Sequence, residues 1–202
     1  MAGNTKRDMG TGSVKKLMAQ MAVPALVGQV INLLYNIVDR IYIGHLPEIG
    51  GDALTGVGLF TPILMLITAF AMLCGAGGAP RAAIAMGKGE KETAEKIVGN
   101  CFTVLMILAV ALTAALYIAA PTLLRRFGGP DATLPYAVTY GRIYILGSVF
   151  VLIVMGMNTF ITTQGFAKIS MLTTIIGAVI NIILDPILMF GLKMGVAGAA
   201  VA

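Results

Sequence analysis

Of the nine acidic residues in this 202-residue chain, two stand inside long apolar runs, Asp39 and Asp185. An ionised carboxylate among apolar helices is costly unless water, a cation or a partner meets it. Each is therefore a candidate for cation binding or proton uptake. Their neighbours repeat the signal. Gln29, Asn32, Asn36 and Asp39 follow spacings of three, four and three, with Tyr35 four residues before Asp39, which draws a polar stripe along one helical face. Thr174, Gly177, Asn181 and Asp185 follow three, four and four, a second stripe in which Gly177 would let a neighbouring helix come close. Two such stripes can face one cavity. The alternatives are structural: an interfacial ion pair of Asp39 with Arg40, and a local hydrogen bond of Asp185 beside a proline break.

A further semi-polar face carries Tyr140, Tyr144 and Ser148, then Asn158 and Thr162. The tyrosine rings either receive a flat cation on their π faces or anchor the chain at the outer membrane boundary. Pro24 and Pro186 each remove a backbone donor, so they can bend their helices and free carbonyls for water or an ion; Pro62 does the same or is a passive kink. Thirteen methionines suit an adaptable pocket, though irregular cores use methionine as filler too. Cys74 and Cys101 lack metal or disulfide spacing and read as small apolar residues, while His45 reads as a solvated loop residue. The chain contains no GxxxxGK[ST], HExxH, CxxC or GxSxG sequence, which argues against an ATP-driven pump or a membrane hydrolase.

The elements that must hold these residues follow from composition. With 58% hydrophobic and 11% charged residues and a mean hydropathy of +0.92, the chain belongs in a bilayer, and no room is left for a soluble domain. Apolar runs predict spans near 17–44, 54–79, 97–120, 136–164 and 171–192, with a sixth beginning at Gly195, after a cytoplasmic tail over 1–16. The first run is read as a retained span, because Gln20 and Pro24 interrupt it and no good small-x-small cleavage site follows. The net charge of +5 is explained by topology, with no call for nucleic acid: Lys15, Lys16, Arg81, Lys88, Lys91, Lys96 and Lys168, with Lys6 and Arg7, fall on one side, against Arg125, Arg126 and Lys193 on the other. That bias places the N-terminus in the cytoplasm. Lys91 with Glu95 and Glu92 with Lys96 suit a solvated helix entering the third span, which offers few polar side chains of its own and is expected to face lipid or pack passively.

At this point the residues resemble the multidrug and toxic compound extrusion (MATE) family of secondary transporters. The matching pieces are Pro24, then Leu-Tyr-Asn-Ile-Val-Asp-Arg-Ile-Tyr-Ile-Gly at 34–44, Ala-Leu-Thr-Gly-Val-Gly-Leu at 53–59, the glycine-rich end of the second span through Gly87-Lys-Gly, and Asn181-Ile-Ile-Leu-Asp185-Pro. The resemblance implies an all-α polytopic bundle: five full spans and the start of a sixth, forming the N-terminal lobe of a two-lobe, twelve-helix transporter. It implies a cation site at Asp39, Asn181 and Asp185, used for H+ or Na+, with no permanent metal and no cofactor. It implies helix bending at Pro24 and cavity positions at Asn32, Tyr35 and Asn158; Asn36 and Tyr140 join them from their own stripes.

The expected activity is cation-coupled antiport exporting amphipathic or cationic drugs or toxic compounds across the cell (inner) membrane. The expected partners are the lipid bilayer, the small substrate and a C-terminal lobe, supplied in cis or by a second chain. One rival is a lipid-linked oligosaccharide flippase of the same superfamily, which would need several cavity-facing cations, and only Arg40 and Arg142 lie in or near spans. The other is a truncated membrane fragment that transports nothing.

Overall fold

Backbone donors and acceptors find no water inside a bilayer, so apolar runs of this length satisfy them internally as helices. The computed structural model describes residues 13–202; residues 1–12, with Lys6, Arg7 and Asp8 of the expected tail, lie outside the described residues. Its helices are α1 (Val14–Gly44), α2 (Gly50–Gly87), α3 (Lys91–Arg126), α4 (Leu134–Ile161), α5 (Ala167–Pro186) and the short α6 (Val196–Val201). No strand occurs among the described residues.

Among the described residues four stretches are long and apolar enough to cross a membrane: Leu17–Gly44, Gly50–Gly87, Lys91–Arg126 and Leu134–Gly191. The last, 58 residues long, is folded back on itself at Gly165, whose φ of 89° breaks the helical path between α4 and α5. A side chain there would be strained, and glycine is not. The helices overrun the runs read from sequence. α1 begins at Val14, inside the segment assigned to the tail. α2 continues to Gly87 and carries Arg81, and α3 begins at Lys91, where Glu92 and Lys96 pair at 2.7 Å on an exposed face. Charged ends can continue a helix into the interface, because only its middle must be apolar. α5 is shorter than its apolar run: after Pro186 the turn widens to a π-helix over Ile187–Gly191.

α2, α3 and α4 pack together as a three-helix core. Close approach at glycines sets its spacing: the Phe60 ring lies over Gly141, Leu105 enters the space beside Gly156, and Gly56, Gly75 and Gly78 of α2 are crowded in the same way. Of the two roles expected of α3, it packs along one side and leaves the other, with Ile107, Val110 and Ile118, exposed. It buries Leu105, Ala109, Leu116, Ala120 and Leu124, and its Thr113 hydroxyl lies 3.2 Å from the buried Ser148 hydroxyl of α4. Outside this core, α1 runs along α5 and meets α2 mainly near their short connection, while α6 seats on α4 and the π-helical segment. The remaining face of α1, with Leu26, Leu33 and Ile37, is exposed.

Candidate cation site between α1 and α5

The α1–α5 seam holds both intramembrane acids. Asp185 is fully buried at the C-terminal end of α5, and Asp39 is partly buried near the end of α1. The two carboxylates lie within electrostatic reach of one another. Just beyond them Tyr42 and Phe190 meet edge-on, with ring centroids 6.4 Å apart and planes at 78°, so both acids sit about one helical turn inside the aromatic closure of the seam. Behind the seam, Tyr140 and Tyr144 of α4 stack at 5.9 Å, and Phe60 of α2 meets both edge-on at 5.6 and 5.8 Å. Tyr140 is within electrostatic reach of both Asp39 and Asp185.

What the seam leaves unmet is chemically uniform. Asp39 Oδ1, Asn181 Oδ1 and both carboxylate oxygens of Asp185 are buried without a hydrogen-bond partner. All four are acceptors, and Asn181 stands one turn before Asp185 on the same face. Buried polar atoms are normally paired, so four orphaned oxygens in one seam call for a proton or a hard cation, which takes oxygen ligands. The ion pair of Asp39 with Arg40 does not form: among the described residues the one side-chain ion pair is Lys96–Glu92. Nor does Asp185 make a local hydrogen bond beside Pro186.

The polar stripe on α1 divides in two. Tyr35 and Asp39 turn towards α5 and α4, whereas Gln29, Asn32, Asn36 and Arg40 line an open groove of about 390 Å³ along the outer edge of α1. Within it Asn36 Nδ2 donates to Asn32 Oδ1 at 2.9 Å and to the Asn32 carbonyl at 2.7 Å. At 100° per residue, spacings of three and four drift around the helix, so a stripe wide enough for both sets is shared between two faces.

On α5 the packed line is Thr174, Ala178, Asn181 and Asp185, with Ala178 and Asp185 buried and the other two half-buried; Gly177 is exposed, and a Cβ built on it would meet nothing. The expected close approach at Gly177 is corrected accordingly: position 178, not 177, lies over position 174 on the packed face.

Of the other residues singled out from sequence, Tyr140 is buried against Phe60, in the wall behind the carboxylates. Asn158 has a buried, unpartnered Oδ1 of its own, but it stands about 27 Å along α4 from Tyr140, near the opposite end of the bundle. Pro24 is buried within α1, which continues as one helix through it. His45 closes α1, its Nδ1 2.7 Å from the Ile41 carbonyl, and Cys74 is buried and Cys101 half-buried, both as free thiols. Phe60 and the Tyr42–Phe190 closure escaped the sequence reading, because a lone aromatic in an apolar run carries no signal of what it will touch.

A family model, MatE, matches residues 24–187. The chain is 29% identical over 194 residues to the probable multidrug resistance protein YoeA of Bacillus subtilis, covering 94% of this chain and 42% of that protein. It is 30% identical over 190 residues to the multidrug export protein MepA of Staphylococcus haemolyticus, covering 93% and 41%. A solved structure of a multidrug resistance MATE family transporter of the MOP superfamily, in its outward-facing conformation, superposes with a TM-score of 0.87 at 31% identity, covering 94% of this chain and 41% of that one. The chain thus spans about two fifths of the length of these relatives.

Proposed function

The chain belongs to the MatE family, and from that premise we propose that it is the N-terminal lobe of a secondary active transporter that exports amphipathic or cationic compounds in exchange for H+ or Na+. It is a multi-pass helical membrane protein, and its relatives are transporters. The observation that carries the reading is the seam of buried acceptor oxygens on Asp39, Asn181 and Asp185, with no donor to meet them. A proton or a sodium ion there neutralises the pair. Because an ion shifts a conformational equilibrium only by its differential affinity for the two states, the seam must change shape between them. Pro24 allows α1 to bend, since no intrahelical bond to its nitrogen exists to be broken. The groove along Asn32 and Asn36, with Tyr35 beside it, then faces the substrate, and Asn158 meets it nearer the opposite end of the bundle.

A C-terminal lobe, in cis or from a second chain, completes the cavity; no cofactor takes part. The protein sits in the cell (inner) membrane with its N-terminus in the cytoplasm. A flippase for a pyrophosphate-linked substrate is less well supported, because Arg142 is held over the Tyr117 ring, 5.5 Å from its centroid, which leaves Arg40 alone in the α1 groove.

The test uses the full-length protein in vesicles, with ethidium export driven in turn by a proton and a sodium gradient. Asp39→Asn and Asp185→Asn each abolish gradient-driven export while leaving the protein folded. Export at the parental rate in both variants would sink the coupling role.

A further inference from the structure

A second recess lies away from the α1–α5 seam. It is a groove of about 490 Å³ between α2 and α3, at the end of the bundle where Lys88 and Lys91 join these helices. Its floor exists because the side chains there are small: Gly77 has no neighbour within 4 Å of where a Cβ would stand, and Cys101 lies on the opposite wall. Its sides are apolar, with Leu73 63% and Val104 45% exposed. Its mouth is polar, with Arg81 and Asn100 both exposed. Arg81 is the one charged residue of the lining, and among the described residues no carboxylate pairs with it. Leu73 stands about 12 Å along α2 from Arg81, so the groove runs from a cationic rim along the exposed apolar surface of the bundle.

That gradient has the polarity of a phospholipid. A guanidinium at the interface presents a planar fork of donors matched to a phosphate, and basic residues at a membrane surface attract anionic head groups. We propose that the α2–α3 groove binds one anionic phospholipid, its phosphate held by Arg81 and Asn100 and one acyl chain laid over Gly77 between Leu73 and Val104. Charge complementarity selects an anionic over a zwitterionic head group, because no acid in the lining repels a net negative charge.

The experiment extracts the full-length protein from vesicles of phosphatidylglycerol and phosphatidylcholine and counts retained lipids by native mass spectrometry. The parent protein retains phosphatidylglycerol in preference to phosphatidylcholine. Arg81→Gln lowers that preference about tenfold, the value of one charge-assisted hydrogen-bonding group, and Arg81→Lys restores most of it. Gly77→Leu, whose Cβ would meet nothing within 4 Å, puts bulk into the groove, and it lowers retention of the lipid even with Arg81 intact. Equal retention of the two lipids by the parent, or phosphatidylglycerol held by Arg81→Gln or Gly77→Leu as the parent holds it, would overturn the assignment. So would displacement of the lipid by inorganic phosphate in the buffer, which would mark an open anion site.

Discussion

Tyr42 of α1 and Phe190, four residues beyond Pro186, meet edge-on at 6.4 Å and close the seam in which Asp39 and Asp185 lie. Helix α1 is otherwise the least enclosed of the long helices, with an exposed outer face, so this contact lies where α1 is held nearest its end. A double-mutant cycle on Tyr42→Ala and Phe190→Ala should give a coupling of about 1 kcal/mol in thermal or denaturant unfolding in detergent. Additive losses would mean that the rings do not tie α1 down.

The buried acids set stability against function. Asp185 is fully enclosed with both oxygens unpaired, and removing a charge from such a site relieves the cost of keeping it there. Asp185→Asn should unfold at a higher temperature than the parent while losing ion-driven export. A lower Tm would show that the carboxylate is held by partners the seam does not reveal.

The three-helix core tolerates no bulk at its closest contacts. A Cβ on Gly156 would stand 2.5 Å from a Leu105 methyl and 3.2 Å from the Ala71 carbonyl oxygen. Gly156→Leu should therefore cost about 1–3 kcal/mol or prevent folding altogether. Gly177→Ala, with open space around it, should be neutral or stabilise by up to about 1 kcal/mol through helix propensity. The two are compared by fluorescence-detected size exclusion after graded heating.

The hydroxyl link between α3 and α4 is modest. Thr113→Val removes a 3.2 Å contact with Ser148, yet Ser148 keeps its bond to the Ile145 carbonyl at 2.6 Å. The expected loss is about 0.6 kcal/mol, the usual size for a polar contact between membrane helices. A loss several times larger would identify the pair as the main register lock of the two helices.

The long helices could be read without the fold, because a bilayer demands apolar runs of a set length and because charge and glycine punctuate them. Helix ends carry the weaker signal. Residues 80–87 lie beyond the apolar run read for the second span, yet they are helical, since hydropathy reports immersion while helix formation continues through a charged interface; the helix over 91–96 is the one that the spacing of Glu92 and Lys96 suits. The π-helical turn after Pro186 carries no periodic signal of its own, and the fold-back at Gly165 was visible only as a pause between two apolar runs.

What the sequence determined by itself was that Asp39 and Asp185 must be explained, since an acid in an apolar run is improbable without a task and its identity is written at its position. It also established that Asn181 shares the face of Asp185, because a helix places residues four apart together whatever surrounds it. Only the tertiary structure decided that the two acids share one seam. It set α1 beside α5, turned Tyr35 and Asp39 inward while leaving Gln29, Asn36 and Arg40 on an open edge, and backed the seam with Tyr140, Tyr144 and Phe60. The physical reason is that helical periodicity fixes which residues share a face, while the rotation of that face towards a neighbour is set by packing, by where side chains are small enough for backbones to approach.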